Sequence, residues 1–246
     1  MLKNIFQRIC NKIGIKSKII IHAKMKGLFD DNSDYKFNSY QLLNLIFDEL
    51  YPSEIYVPSF TYKFTKNLFF DVIQSPSEVG RFSYEIQNKF AVKKRRTLDP
   101  IFSVIDINKT LPDQFYTNTD SFGNNSIWSY LNNNNHYIIN INLNSPIITS
   151  QLHHLEYMHK TPYRYIKNFN GKIKNWDSKE LNINYKYFVR DLNSNTEWDR
   201  DKILSIAKDY NAVIEEGPVK VFSWDKLKSP LSTSVSNNPL FLLKKN

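Results

Sequence analysis

The sequence has little cysteine and no long apolar run, and each shortage excludes a class of protein. Cys10 is the only cysteine among the 246 residues, so a disulfide framework within the chain is excluded and a reducing cytoplasm is expected. No apolar run approaches the roughly 18 residues that a membrane-spanning helix needs, which argues against membrane insertion. These shortages predict a soluble, cytoplasmic protein.

The N-terminal segment, residues 1–14, lacks the continuous apolar core of a signal peptide. Lys3, Arg8 and Lys12 are interleaved with apolar residues at helical spacing, which predicts an amphipathic helix. We expect the apolar face of this helix to pack on the body of the protein. Binding to a membrane surface or to a partner is the alternative.

The formal net charge of +9 raises the question of a nucleic-acid partner. The Lys and Arg residues are scattered, whereas nucleic-acid-binding proteins concentrate positive charge on one face or stripe. The densest run, residues 93–96, fits a solvated helix end or an anion site inside an enzyme better. We therefore expect no nucleic-acid partner.

Length and composition indicate a single domain over residues 1–246 with one substantial core, because 41% of the chain is hydrophobic. We expect this domain to end in a C-terminal tail over residues 226–246. The sequence leaves the oligomeric state open, a homodimer included.

Strand, helix and strand follow one another within the first sixty residues. Residues 18–22 and 54–58 are apolar runs, and Asn38 or Ser39 caps a helix between them. Such a crossover unit has parallel strands, whose carboxyl ends share one edge of the sheet where ligands bind. The predicted fold is a single α/β domain with a mixed, largely parallel central sheet flanked by helices.

Capping signals predict a further helix over residues 76–90, since Ser75, Pro76 and Glu78 suit an N-cap, a first-turn proline and a capping-box glutamate. Apolar runs and helical periodicity predict the remaining elements. These are strands at residues 101–107, 137–142, 183–190 and 219–224, and a helix at 198–210.

His153 and Glu156 are three residues apart in a predicted helix, a spacing that brings both side chains to one face. A carboxylate beside an imidazole fixes its tautomer and stabilises its protonated form, as a general base requires. The spacing alone is equally compatible with a surface ion pair.

Five further segments stand in a characteristic order around this pair: 22–26, 58–62, 75–80, 95–103 and 122–126. Together they resemble the aminoglycoside 3-N-acetyltransferase family, whose members use acetyl-coenzyme A to acylate an amine of an amino sugar. The resemblance runs from about Ile15 to about Tyr165 and resumes weakly at 216–225.

The resemblance implies a coenzyme A site at the first and fourth segments. The family's His-Ala-Ser-Leu-Lys is matched at the first segment, except that lysine replaces serine and methionine replaces leucine. In the family's Arg-Ser-x-His-Pro-x-x-Ser, aspartate replaces the histidine. The implied cofactor-binding residues are His22, Ala23, Lys24, Met25, Lys26, Arg96 and Ser103.

For the acceptor we expect contacts from Asp99, Tyr62 and Ser150, since Asp99, where the family has histidine, adds an acid that could bind an ammonium group. The family's Thr-Ala-Leu-His-x-Ala-Glu matches residues 150–156 in part, which assigns the base to His153, oriented by Glu156. A backbone N–H at a helix start, Ser150 or Thr149 is a candidate oxyanion donor. No covalent intermediate and no metal are expected.

The expected partner is a small-molecule amino sugar. Aminoglycosides are polycations, whereas a basic chain suits an anionic acceptor such as a nucleotide-linked amino sugar for surface polysaccharide. The alternatives are an aminoglycoside resistance enzyme and a non-catalytic module that binds coenzyme A or a sugar nucleotide. Lys24 and Asp99, which depart from the family pattern, favour the last of these.

Overall fold

The computed structural model describes residues 1–28, 38–143 and 149–244, in which helices and strands alternate along most of the chain. The helices are α1 (Leu2–Ile13), α2 (Ser39–Leu50), α3 (Phe64–Asn67), α4 (Arg81–Phe90), α5 (Ile127–Asn133), α6 (Thr149–Met158), α7 (Arg200–Asp209) and α8 (Trp224–Asn237). The strands are β1 (Lys18–Ala23), β2 (Glu54–Pro58), β3 (Phe69–Asp71), β4 (Val104–Asp106), β5 (Tyr137–Ile141), β6 (Arg164–Lys174), β7 (Glu180–Arg190), β8 (Val213–Glu216) and β9 (Val219–Ser223).

The central sheet has six strands in the order β4-β2-β1-β5-β9-β8. Strand β1 pairs in parallel with β2 and β5, while β4, β9 and β8 pair antiparallel to their neighbours. The mixed α/β fold is confirmed, but parallel pairing is confined to the centre, so the prediction of a largely parallel sheet was wrong. Of the outer strands, only β8 and β9 are joined by a short turn, whereas β4 follows β2, and β8 follows β5, after long segments that contain several elements.

Apolar cores cover both faces of this sheet. Along β1, Ile20 faces one core, whereas Ile19 and Ile21 face the other. A central strand buried on both faces must be apolar throughout, which explains why β1, β2 and β5 are recognisable as continuous apolar runs. Parallel pairing places the carboxyl ends of β1, β2 and β5 on one edge, and α6 is the next helix after β5.

A second sheet has the order β3-β6-β7. Strands β6 and β7 form a long antiparallel hairpin in which Arg164 pairs with Arg190 at one end and Lys174 with Glu180 at the other. Gly171 is required in this hairpin, since an added Cβ would lie 2.6 Å from the backbone oxygen of Leu68.

Helix α1 packs its apolar face on the protein body, with Leu2, Ile5, Phe6 and Ile9 buried. On its other face, Arg8 and Lys12 form ion pairs with Glu216. Among the described residues, no helix is long and apolar enough to cross a membrane.

Helix α4 begins at Arg81, so the predicted start at Pro76 was wrong. Tertiary contacts take up the groups that were expected to cap the helix. The Ser75 hydroxyl accepts the Asp71 N–H, the Glu78 N–H donates to the Phe60 carbonyl, and the Glu78 carboxylate accepts the Lys63 N–H.

The predicted C-terminal tail over residues 226–246 is instead largely helical. Helix α8 extends to Asn237 and buries Leu227, Leu231 and Val235 in the larger core, which Leu242 also joins. Pro230 within the helix masked its periodicity in the sequence.

Candidate active site

Helix α6 carries His153 and Glu156 on one face, and the His153 Nδ1 donates a hydrogen bond of 2.8 Å to Glu156 Oε2. This contact fixes the ring orientation and the proton on Nδ1. No described residue forms a hydrogen bond with Nε2, so that nitrogen is left for an external proton.

The Glu156 carboxylate is fully buried and held on every side. Its Oε1 accepts hydrogen bonds from the Tyr163 hydroxyl at 2.8 Å and from Trp198 Nε1 at 2.7 Å. Its Oε2 lies 2.7 Å from Arg164 Nε in an ion pair with poor hydrogen-bond angles. Burial opposes ionisation of Glu156, but the hydrogen bond from His153 and the charge of Arg164 outweigh it and lower its pKa. The carboxylate is therefore charged and oriented at neutral pH.

The His153 imidazole lies among aromatic rings. Ring centroids of Trp198, Phe122 and Phe102 lie 4.7, 5.5 and 6.3 Å from its own. Burial lowers the pKa of His153, the positive charge of Arg164 lowers it further, and Glu156 opposes both. A histidine with a lowered pKa is neutral near pH 7 and able to accept a proton.

A tight turn before α5 supplies Phe122 to this aromatic environment. The Asp120 carboxylate accepts the N–H groups of Phe122 and Gly123 at 3.3 and 3.1 Å. An added Cβ at Gly123 would lie 2.7 Å from Asp120 Oδ2, so a larger residue would have to displace the carboxylate that holds this turn. The predicted 122–126 segment thus positions a ring against His153.

A cleft of about 560 Å³ opens beside His153. Its wall includes Arg164, Arg190 and Arg200 together with Trp198, and the carboxylate of Glu197 is its acidic lining group. Glu197 also forms an ion pair with Lys244. The cleft is therefore positively charged.

A larger cavity of about 840 Å³ adjoins this cleft through Ser194 and Asn195. Its walls are mainly apolar and include Tyr163, Leu240 and Phe241. His153 lines the smaller cleft and not the larger one.

The predicted cofactor segment lies at the carboxyl end of β1. His22 pairs in register with Asn140, and its Nε2 is buried without a hydrogen-bond partner among the described residues. Burial lowers the pKa of His22 to about 4. Ala23 and Met25 are half-buried, and Lys24 and Lys26 are exposed. The buried Nε2 of His22, which has no partner among the described residues, lies close in sequence to the exposed Lys24 and Lys26, an arrangement that suits a ligand with polar and anionic groups.

Arg96 and Ser103, also predicted to bind cofactor, lie fully buried inside the protein. The Arg96 guanidinium donates to Ser103 Oγ at 3.0 Å, to the Ser59 carbonyl at 2.8 Å and to Thr61 Oγ1 at 2.7 Å. It also donates to the Ser75 carbonyl at 2.6 Å. These bonds connect Arg96 to three separate segments, at residues 59–61, 75 and 103, so Arg96 and Ser103 hold loops in position. Contact of Arg96 and Ser103 with the cofactor stays a prediction.

Asp99, predicted to bind the acceptor, is 1% exposed. Its Oδ1 accepts the N–H groups of Ile101 and Phe102 and the hydroxyl of Tyr185, while Oδ2 has no partner among the described residues. Burial raises its pKa to about 6. Asp99 closes a turn, and the structure does not bring it to the surface of the His153 cleft.

The other predicted acceptor residues are placed differently from one another. Tyr62 is 42% exposed, and its ring centroid lies 6.1 Å from that of Phe102, whose ring also contacts His153. Ser150 is fully buried in the first turn of α6, and its Oγ has no partner among the described residues. The side chain of Thr149 lies outside the described residues.

The remaining histidines near α6 have structural contacts. His154 donates to the Phe122 carbonyl at 2.9 Å, and Gln151 bonds to His136 at 3.1 Å. His159 bonds to Ser232 on α8 at 2.8 Å. Among the described residues, no group of histidine, cysteine and carboxylate side chains is arranged to hold a metal ion.

Sequence reasoning missed Tyr163, Arg164 and Trp198, which contact Glu156. Tyr163 and Arg164 follow α6 closely, and a basic residue soon after the His-x-x-Glu pair was an available signal. Trp198 gave none, because the long β6–β7 hairpin separates it from α6.

No protein-family model matches the sequence, and no curated protein matches it either. Solved structures do match. A mutant of aminoglycoside acetyltransferase AAC(3)-IVa in complex with a gentamicin has a TM-score of 0.72 at 12% identity, over 99% of this chain and 91% of that chain. For AAC(3)-Xa the TM-score is 0.70 at 11% identity, over 99% and 94%.

The YokD protein from Bacillus subtilis is a third similar structure, with a TM-score of 0.63 at 14% identity over 96% of this chain and 99% of that chain. The similarities cover nearly the whole of each chain, and they confirm the fold that the order of motifs predicted. This chain has the fold of the AAC(3) aminoglycoside acetyltransferases.

Proposed function

We propose that this protein is an N-acetyltransferase that moves the acetyl group of acetyl-coenzyme A to the amine of an amino sugar. The observation that carries the proposal is the contact of 2.8 Å between His153 Nδ1 and Glu156 Oε2. It presents Nε2 of a neutral imidazole beside a cleft, which suits a general base. Similarity in fold to acetyltransferases favours acyl transfer over other proton chemistry.

In the proposed reaction the neutral amine attacks the thioester carbonyl, forming a carbon–nitrogen bond. His153 Nε2 takes one proton from the attacking nitrogen, and Glu156 stabilises the imidazolium that results. The carbon–sulfur bond then breaks, and the proton passes from His153 to the departing thiolate. No acyl group is attached to the protein at any stage.

The coenzyme is proposed to bind at the carboxyl end of β1, where His22 has an unpartnered buried Nε2 among the described residues. The exposed side chains of Lys24 and Lys26 supply positive charge there for phosphate groups. This arrangement leaves the cleft on the Trp198 side of His153 for the acceptor.

For the acceptor we propose a nucleotide-linked amino sugar of the kind used for surface polysaccharide. The net charge of +9 and the arginines that line the His153 cleft support an anionic acceptor. A free aminoglycoside is the second candidate, because proteins of similar fold are complexed with a gentamicin and with apramycin. The arginines oppose it, since these antibiotics are polycations.

Thiol release from acetyl-coenzyme A tests the proposal, with nucleotide-linked amino sugars and aminoglycosides as acceptors. We expect turnover on a nucleotide sugar, and a loss of at least about 100-fold in His153→Ala, the scale for losing a general base. His159→Ala is the matched control, because His159 follows the same helix closely and faces Ser232.

Each outcome of this experiment has a distinct meaning. Turnover on aminoglycosides alone would indicate that the protein acetylates antibiotics and not nucleotide-linked sugars. Coenzyme A binding without thiol release on any acceptor would favour a non-catalytic binding module. Equal turnover of wild type and His153→Ala would remove His153 from the mechanism.

A further inference from the structure

Arg164 and Arg190 are directly opposed across the β6–β7 hairpin. Opposed residues on antiparallel strands have Cβ atoms only about 4.5–5.5 Å apart, and like charges there are destabilising. Both residues line the His153 cleft, and Arg200, at the start of α7, lines it too. The structure thus gathers cations at the base of the hairpin.

The charges in this cleft are unevenly balanced. Arg164 is paired with Glu156, and Glu197 is paired with Lys244 outside the cleft lining. No carboxylate of the described residues forms an ion pair with Arg190, which is exposed. The repulsion between Arg164 and Arg190 is therefore offset only in part by the protein itself.

We infer that the cleft binds phosphate groups of the acceptor, with the guanidinium groups of Arg190 and Arg200 as their ligands. The inference rests on the proposed function and adds an anion subsite to it. The planar guanidinium presents paired N–H donors that match two phosphate oxygens, so a diphosphate suits two such groups. Bound phosphate also relieves the repulsion between Arg164 and Arg190.

The position of the cleft assigns the phosphate to the acceptor. None of the residues predicted to bind coenzyme A lines it. His153 does line it, and His153 shares Glu156 with Arg164. A phosphate bound there would lie beside the proposed base, which takes the proton of the attacking amine, and next to the indole of Trp198.

Calorimetric titration with inorganic pyrophosphate tests the subsite without any transfer reaction. Wild type, Arg190→Gln and Lys186→Gln are compared, each with and without saturating coenzyme A. Lys186 is the matched control, because it is exposed on the same strand and does not line the cleft. Arg200→Gln is included because Arg200 lies on α7, so weaker binding by this variant cannot be due to a distortion of the β6–β7 hairpin.

We expect wild type to bind pyrophosphate equally well with and without coenzyme A. Arg190→Gln and Arg200→Gln should each weaken binding about tenfold, the effect of one charged hydrogen-bonded contact, and Lys186→Gln should not. No binding by wild type, equal binding by Arg190→Gln, or displacement by coenzyme A would each overturn the inference.

The acetyl-transfer assay separates this inference from the proposed function. Turnover of a neutral amino sugar without pyrophosphate binding would support the proposed acetyl transfer and contradict the anion subsite. Pyrophosphate binding that requires Arg190, without acetyl transfer to any acceptor, would support the anion subsite and contradict the proposed acetyltransferase activity. Support for both requires a kcat/KM for the nucleotide-linked sugar that falls about tenfold in Arg190→Gln, with the KM for acetyl-coenzyme A unchanged.

Discussion

His153 and Arg164 contact the same carboxylate oxygen, Glu156 Oε2, at 2.8 and 2.7 Å. Burial and the Arg164 guanidinium lower the pKa of His153, and the Glu156 carboxylate, which orients the imidazole, opposes them. Glu156 thus sets the orientation of His153, while the basicity of His153 depends on burial and on both charged neighbours.

Replacing Arg164 with Met should move the acid limb of kcat/KM to higher pH. The proposed base, His153, accepts a proton only when neutral, so activity should be lost as the pH falls through its pKa, which burial and the charge of Arg164 lower. Removing that charge should raise this pKa. Rate profiles between about pH 4.5 and 8 check the shift, with the exposed Lys167→Met as control. If the acid limb of kcat/KM lies at the same pH in Arg164→Met and in wild type, Arg164 is only a structural partner of Glu156.

Asp99→Asn should be tolerated and should become relatively more stable as the pH rises. Burial raises the folded-state pKa of Asp99 from the ordinary 3.8 to about 6, so this carboxyl makes wild type less stable as the pH rises from 3.8 to 6. The advantage of Asn over wild type should grow by about 1 kcal/mol between pH 5 and pH 8, as urea unfolding would measure. A large rise in acceptor KM instead would support the predicted acceptor contact.

Arg96→Met should destabilise the protein by about 3 kcal/mol or more, because several buried acceptors lose their donor together. Arg96→Lys should restore little, since an ammonium cannot replace the planar fork that reaches Ser59, Thr61 and Ser103. Urea unfolding measures both, with the exposed Arg81→Met as control. If Arg96 chiefly contacts coenzyme A, the variants will be stable and their KM for acetyl-coenzyme A will rise.

Buried histidines should make the protein sensitive to mild acid. Burial lowers the pKa of both His136 and His154 to about 4, from the ordinary histidine value of 6.5. The unfolded state takes up protons first, so stability present above pH 6.5 is lost as the pH falls toward 4. Each should cost about 2 kcal/mol between pH 7 and pH 5.

His136→Gln isolates one of these contributions. Glutamine cannot be protonated, so the decrease in unfolding free energy between pH 7 and pH 5 should be smaller than in wild type by about 2 kcal/mol. The comparison is internal to each variant, and a lower stability of His136→Gln at pH 7 does not affect it. The same pH dependence in both proteins would contradict burial of a neutral His136.

The sequence was sufficient where burial alone decides the structure. Strands β1 and β2 were predicted almost to the residue, because central strands must be apolar on both faces. The pair of His153 and Glu156 was also predictable, since helical spacing is a local property.

Prediction failed where distant partners decide. Ser75 and Glu78 have the chemistry of a helix start, yet they bond to Asp71 and Lys63. The strand β6 is rich in Lys and Asn and largely exposed, so it lacks an apolar signal, and its pairing with β7 sets the position of Arg164. Contacts of this kind depend on the finished fold and have no local pattern.

The β6–β7 hairpin has a consequence for how such enzymes change. It carries Arg164 and Arg190 at one end, while near its turn Trp176 donates a hydrogen bond of 3.1 Å to the Arg96 carbonyl. The base, by contrast, lies on α6. Arg164 connects the hairpin to Glu156, whereas Arg190, opposite it, forms no ion pair with a described carboxylate. With the acceptor contact proposed for Arg190, substitution of that residue can redirect the enzyme toward a new acceptor charge while His153, Glu156 and Arg164 are inherited unaltered.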